Sequence, residues 1–443
     1  MDFKQFHYKS IVDVEEELKD MNLNLPLSKN LDALRRKVAV GNKTIPNSIA
    51  VQPMEGCDGN SDGTPGELTF RRYRRFASGG AGLIWMEACA IVPEGRANPR
   101  QLMINRKNAG EFSRLHDEII DTAYDRFKGS IHPICILQLT HSGRYSRPSG
   151  SSEPLIACHN PYLDKAQGID KDVPQVTDDY LEKLEDIYVD AAVLAYKSGF
   201  DGVDIKSCHR YLSSELLSSF TREGRYGGSF EGRTRLLADV VGKIKQKLPK
   251  DFIVTSRLNI YDAIPYPYGF GVDKENFQKY DMTEPIKLIK ILHEKGMPII
   301  NLTMGNPYYN PHINRPFDKG PYVPSEHPLF GVARLSRGIA EVKKAVPDIV
   351  IIGSGYSYLR EFSPYLAAGN IENGNVDIAG FGRESFAYPD FPSDIFNKGS
   401  MDPKKCCITC SKCTELMRAK SMTGCVVRDS GIYAPLYKKY CIK

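Results

Sequence analysis

The 443-residue sequence predicts an α/β protein. Its centre is a (β/α)8 barrel of the TIM type over residues 44–395, with an N-terminal extension over 1–43 and a cysteine-rich segment over 396–443. Three observations predict this. Eight short, apolar, β-branched runs alternate with longer runs. The longer runs repeat their apolar residues at helical spacing. Eight such units within about 350 residues favour a closed ring over the rival, an open doubly wound sheet.

The expected strands are 45–54, 82–92, 134–143, 199–207, 252–260, 297–305, 348–355 and 376–384, each bounded by Gly, Pro or Asp. The segment 178–198 carries Leu181, Leu184, Ile187, Tyr188, Ala191 and Ala195 on one helical face, and 233–248 and 283–296 repeat the pattern. The eighth unit has the weakest helical signal. In the extension, IVDVEEELKDM predicts a short helix followed by a loop. Residues 306–330, rich in Pro, Asn and Tyr, follow strand six and predict a long ordered loop over the catalytic end.

Hydrophobic residues make up 41% and charged residues 26%, the balance of a globular protein in water. No run of eighteen apolar residues predicts a membrane span. The N-terminus MDFKQFHYKS lacks the apolar core of an export signal, which points to the cytoplasm. The net charge of +5 is spread along the chain and argues against nucleic-acid binding.

In such barrels the chemistry sits at the C-terminal ends of the strands. Polar groups converge there: Glu55 after Pro53 and Met54, Glu87 beside Ala88, Gln138, Lys206, His209, Tyr211, Arg257 and Asn301. Gly353-Ser354-Gly355 after strand seven and Gly382-Arg383 after strand eight suit a phosphate: glycines let backbone N–H groups approach, and a guanidinium grips two oxygens. The plainer alternative is two turn glycines and a surface arginine. A dinucleotide loop fits GSGYSY less well, because its third glycine is missing.

Eleven cysteines include six in the last 38 residues. Cys407, Cys410 and Cys413 stand at CxxCxxC spacing, with Cys425 further on. Three close thiolates and one distant one favour a [4Fe–4S] cluster over zinc, which usually takes two separated CxxC pairs. Cys406 is a frame-shifted alternative, and Cys441 is expected to be free.

The ordered motifs PMEG, GGAGLIWMEA, LQLTHSGR, HRYL with ELLS, RYGGSFEGRTRLL and AGFGRE resemble the old yellow enzyme family of FMN-dependent ene-reductases over residues 44–395. CITCSKC followed by Cys425 resembles the iron–sulfur segment of the 2,4-dienoyl-CoA reductase and trimethylamine dehydrogenase branch. The resemblance implies that Pro53, Met54 and Ala88 flank the flavin and that Gln138 meets its pyrimidine edge. It sets Arg257 near N1 and O2, and Ser354, Gly355, Gly382 and Arg383 on the phosphate. It selects Cys407 rather than Cys406, with Cys410, Cys413 and Cys425, for the cluster. The substrate pair falls on Lys206 and His209, and the proton donor on Tyr211. The family commonly has histidine at the first of these positions, so Lys206 is a departure. It would act on a substrate carbonyl or carboxylate, or serve structure by pairing with Asp204 or Glu55.

The expected activity is reduction of an activated C=C bond in an enone- or enoate-type small molecule. The rivals are an oxidative amine-type dehydrogenase, a non-catalytic electron-transfer subunit and a zinc-stabilised barrel. With the chain ending at Lys443, the FAD and nucleotide-binding region of the longer relatives is expected to be absent. Electrons would come from NAD(P)H, or from a ferredoxin, flavodoxin or flavoprotein partner, and a homo-oligomer is expected. Three further readings bear on the site. His141 and Arg144 hold loop three together, Cys208 fills space, and Cys57 neighbours the flavin. Arg235 and Glu231 position the fourth helix. Arg315 meets either an acidic substrate or a rim carboxylate.

Overall fold

The computed structural model describes residues 2–442. Eight parallel strands run round a ring: β1 (Ile49–Val51), β2 (Leu83–Ala90), β3 (Ile134–Thr140), β4 (Gly202–Ile205), β5 (Ile253–Thr255 and Arg257–Asn259, broken at Ser256), β6 (Ile299–Thr303), β7 (Val350–Gly353) and β8 (Ile378–Phe381). The first half of β5 pairs with β4 and the second half with β6, which closes the ring. Neighbours in space are neighbours in sequence all the way round, and β8 pairs with β1. A doubly wound sheet reverses its strand order at a switch point, so that alternative is excluded.

The outer helices are α1 (Glu67–Gly79), α2 (Ala109–Phe127), α3 (Asp178–Lys197), α4 (Phe230–Lys247), α5 (Thr283–Glu294), α6 (Pro328–Ala345), α7 (Ser363–Glu372) and α8 (Phe391–Lys398). Helix α3 starts where Thr177 accepts a hydrogen bond from the Tyr180 amide, with Asp178 and Asp179 at the positive end of the helix dipole. Its expected apolar face is buried at Leu181, Leu184, Tyr188, Ala191 and Ala195, with Ile187 at the margin. The faint eighth helix of the sequence is the eight-residue α8, preceded by a single turn, Arg383–Ala387. No helix among the described residues is long and apolar enough to cross a membrane.

The strands are shorter than their apolar runs suggest, at both ends. The expected 45–54 narrows to Ile49–Val51, and 199–207 to Gly202–Ile205. Pro53 has no N–H to continue a ladder, and after Ile205 the backbone turns away to place the next side chains. Those peeled-off ends form the site.

The N-terminal extension holds the expected helix, Ile11–Asp20. Part of the expected loop is a hairpin instead, Val38–Val40 with Lys43–Ile45. Its Val40 and Ile45 pack against Leu83, Trp85, Ile136, Ile253 and Ile352, plugging the floor of the barrel opposite the catalytic end. Ile45 is fully buried. Ile45→Ala is therefore expected to cost about 2–5 kcal/mol in urea unfolding; a loss near zero would show that the plug is not part of the cooperative core.

Candidate active site

A cleft with about 990 Å³ of empty space, mouth included, opens at the C-terminal ends of the strands. It brings together nine residues singled out from sequence: Pro53, Met54, Lys206, His209, Arg257, Ser354, Gly355, Gly382 and Arg383. Tight packing explains the glycines. Gly355 adopts φ +98°, and a Cβ there would lie 2.6 Å from Leu335. A Cβ on Gly380 would strike the Gln52 amide at 2.0 Å, and Gln52 is itself held by a reciprocal pair of hydrogen bonds with Asn301, at 2.8 and 3.1 Å.

Three expected contacts lie behind the cleft wall. Ala88 is fully buried in β2. Gln138 donates to Asp204 at 2.5 Å. Asp204 also accepts from the Trp85 indole and the Arg257 amide, both at 2.7 Å. Burial still pushes this carboxyl up to about 6. Tyr211 is likewise buried, with its hydroxyl 2.9 Å from that of Tyr308 and 3.3 Å from Glu55. It is Tyr308 that faces the cleft.

The turn from Lys206 to Tyr211 answers why three functional side chain types cluster after β4. The Lys206 and Ser207 amides still bond to Leu139 and Arg257 of the flanking strands, at 3.0 Å each. Then His209 and Arg210 take φ +63° and +61° in succession. Two adjacent left-handed residues that are not glycine cost about 1 kcal/mol or more each. The buried ion pair of Arg210 with Asp262, at 2.9 Å, ties the turn down. The turn aims His209 into the cleft with Nε2 buried and unpartnered. Burial, then the nearby Arg257, Lys206 and Arg315, hold its imidazole well below the usual range, so it is neutral. Lys206 lies over the Tyr211 ring at 3.8 Å and pairs with Glu55 at 3.2 Å. Of the two acids weighed from sequence, Glu55 is the partner, yet Lys206 still lines the cleft.

The cleft wall carries unspent donors. Arg257 Nε, Arg315 Nη1 and Arg383 Nη1 are buried without a partner. The other terminal nitrogen of Arg383 donates to the Pro316 carbonyl at 2.8 Å. Arg315 has no carboxylate within ion-pair distance among the described residues, so the rim salt bridge is not formed. Burial and the neighbouring Arg383 charge pull Arg315 below its ordinary value. Unsatisfied buried donors cost about 1–3 kcal/mol each, so this wall suits an anionic, hydrogen-bond-accepting group. A phosphorylated flavin fits it. Ser354 at present donates to the Leu302 carbonyl at 2.9 Å.

The four cysteines at CxxCxxC…C spacing line one smaller cavity beside the cleft, and Arg383 and Cys413 border both. Backbone amides of Thr409 and Arg428 point at the sulfurs of Cys407 and Cys425, at 3.4 and 3.3 Å. Cys406 turns the other way, its thiol on the Asp402 carbonyl at 3.3 Å. No three of the four sulfurs lie within 4.8 Å of one another.

Residues around the cleft that sequence reasoning left unassigned include Tyr308, Asn314, Met417 and Thr423. The first two come from the ordered loop 306–330, which contains the short helix Pro311–Asn314. Asp318 anchors this loop by accepting from the Phe6 amide at 2.6 Å. Thr423 is carried in from the cysteine segment, its amide bonded to the Gly56 carbonyl at 2.6 Å. The loop's density of Tyr and Asn was the available signal for Tyr308 and Asn314; nothing local marked Thr423. His141 and Arg144 stay outside the cleft, bonded to Tyr180 and to Asp164 with Glu215. Cys208 is fully buried. Glu231 pairs with Lys287 of α5 at 3.0 Å, and Arg235 with the Arg225 carbonyl.

A closed barrel whose cleft wall holds unpartnered cationic donors belongs to the class of barrels that suit a phosphorylated ligand at their strand ends. Residues 36–400 match the NADH:flavin oxidoreductase / NADH oxidase family, and the chain belongs to it. This is the old yellow enzyme family. The chain is 26% identical over 422 residues to an NADH oxidase of Thermoanaerobacter brockii, covering 91% of this chain and 58% of that one. It is 28% identical over 414 residues to a cinnamate reductase of Clostridium sporogenes, covering 89% and 57%. Among solved structures, a 2-naphthoyl-CoA reductase complex superposes with a TM-score of 0.71 at 20% identity, covering 90% of this chain and 57% of that one, a likeness of fold. The chain thus spans somewhat over half the length of these relatives.

Proposed function

We propose that the protein reduces an activated C=C bond in an enone- or enoate-type substrate, with FMN in the cleft and a [4Fe–4S] cluster on Cys407, Cys410, Cys413 and Cys425. The observation that carries this reading is the unpartnered His209 Nε2 beside the Lys206 ammonium, in one cleft with Pro53, Met54 and Arg383. FMN supplies the hydride. His209, in its Nε2–H form, and Lys206 bind the oxygen of the electron-withdrawing group and draw charge from the double bond. Tyr211 and Tyr308 share one hydrogen bond at 2.9 Å, and burial with the Glu55 charge keeps both hydroxyls protonated. The pair delivers the proton to the α-carbon, Tyr308 from the cleft side and Tyr211 from behind it.

The charge of the cleft opposes the amine reading. Arg257, Arg315 and Arg383 are assigned to FMN, which leaves Lys206 as the cation on the substrate side, and the one carboxylate in the lining, Glu55, is taken by Lys206. A cationic amine would be repelled. Cys410, Cys413 and Cys425 are only partly buried, which suits one-electron exchange with a ferredoxin, flavodoxin or flavoprotein; NAD(P)H is the alternative donor.

The test is to reduce the anaerobic protein and follow flavin reoxidation by candidate alkenes. Tyr211→Phe and Tyr308→Phe are expected to slow it by ~10²- to 10⁴-fold while FMN stays bound. Unchanged rates in both variants would remove the tyrosine pair as proton source, and reduction by amines instead of reoxidation by alkenes would overturn the reductive reading.

A further inference from the structure

Three side chains of metal-ligating type meet at the end of the barrel opposite the cleft. Cys135 is the second residue of β3, Asp201 directly precedes β4, and His116 stands on α2. Strand alternation aims the cysteine. Ile134 and Ile136 point into the barrel, so Cys135 between them points outward, where it packs in the layer shared with Leu115 and Ile119 of α2. A ring nitrogen of His116, the Cys135 sulfur and a carboxylate oxygen of Asp201 lie within 4.8 Å of one another. No other such trio of His, Cys, Asp or Glu side chains occurs among the described residues.

The trio is fixed in place by its surroundings. The Cys135 amide donates to the Asp201 carboxylate at 2.8 Å, and the Asp201 amide donates to the Cys135 carbonyl at 3.0 Å. Gly199 takes φ +92°, and a Cβ there would lie 2.7 Å from His116 Nδ1, so the chain closes over the ring. Phe200 packs edge-on against the same ring at 5.3 Å.

The donors are placed but unused. Both ring nitrogens of His116 are buried without a hydrogen-bond partner. The Asp117 carboxylate, at 3.6 Å from Nδ1, is beyond hydrogen-bond length. Burial lowers the affinity of this imidazole for a proton, which leaves the ring neutral with a free lone pair. The Cys135 thiol is fully buried, and its one acceptor is the Pro133 carbonyl at 3.9 Å. Imidazole, thiolate and carboxylate together are the donor set of zinc-class ions. The charge now facing Asp201 is the Lys43 ammonium of the floor hairpin, at 2.8 Å.

We propose that His116, Cys135 and Asp201 form a binding site for one divalent cation of the zinc class, with a water as fourth ligand. The site is independent of the flavin cleft and of the reductase reading. On binding, the Cys135 S–H bond breaks, a sulfur–metal bond forms and the proton leaves to solvent, with no electrons exchanged. The ion ties α2 to the starts of β3 and β4, and it competes with Lys43 for Asp201.

The test titrates zinc chloride into the anaerobically purified protein, read by calorimetry and by the midpoint of thermal unfolding. Zinc is expected to bind with a Kd of about 1 µM or tighter and to raise the midpoint, whereas Mg²⁺, which prefers oxygen ligands, does neither. His116→Ala and Cys135→Ala are each expected to weaken this binding roughly tenfold or more. Zinc held by the cysteine-rich segment survives both variants and is told apart by that. Lys43→Met alters no ligand and removes the competing ammonium, so it is expected to tighten zinc binding about threefold or more; it keeps the test decisive where a ligand variant does not fold. All these positions lie at the far end of the barrel, so flavin reoxidation should hold in each. No zinc binding, an isotherm identical in the parent, His116→Ala and Cys135→Ala, or unchanged or weaker binding in Lys43→Met overturns the proposal.

Discussion

Arg383→Gln is expected to lower the affinity for FMN about a hundredfold. The guanidinium stands at the start of the turn after β8, one terminal nitrogen on the Pro316 carbonyl and the other buried with no partner. Arg315 is its neighbour in the same wall. Two buried cations repel until an anion lies between them. A phosphate there gains charge-assisted hydrogen bonds of about 1.5–3 kcal/mol each, a factor of ~10 to 150. Glutamine keeps a donor for Pro316 but gives up the charge. Fluorescence titration of FMN into apoprotein measures the change, and Arg315→Gln should weaken binding in the same direction. Wild-type affinity in both variants would mean that the phosphate lies elsewhere.

Cys410→Ala is expected to remove the proposed iron–sulfur cluster, and Cys406→Ala to leave it in place. The two cysteines are four residues apart and differ in where their sulfurs point. Cys410 lines the cavity with Cys407, Cys413 and Cys425, whereas Cys406 bonds to the Asp402 carbonyl. A cubane held by three thiolates is labile, because each Cys is one of four anchors. Iron and acid-labile sulfide assayed after anaerobic purification are expected to fall nearly to zero in Cys410→Ala. Equal loss in both variants would mean that Cys406 ligates. Zinc in place of iron in the unaltered protein would end the cluster assignment.

The same cavity illustrates what was legible before folding. CxxCxxC is a local pattern, so a metal or cluster site could be expected from spacing. Cys406 and Cys407 are adjacent and not separated by spacing alone; the turn sets Cys407 in the cavity with the other three and the Cys406 thiol on the Asp402 carbonyl. Lys206 is similar. Its position after a strand was plain, and its pairing with Glu55 was one of two options, yet only the path of the β1 end, 151 residues away, brings Glu55 rather than Asp204 to it. Asp204 points into the barrel, where Trp85, Gln138 and the Arg257 amide hold it.

What the sequence determined by itself is the barrel and the inventory of its strand ends. Both follow from short-range rules: alternation of apolar runs, helical spacing, and the glycines and charges that follow each run. What only the tertiary structure decided is which side chains share a cavity: Tyr308 in front of Tyr211, Arg315 beside Arg383, and Thr423 carried to Gly56. These meet through loops without periodicity, across separations of up to several hundred residues. Their positions are set by the packing of the whole chain rather than by any neighbour in sequence.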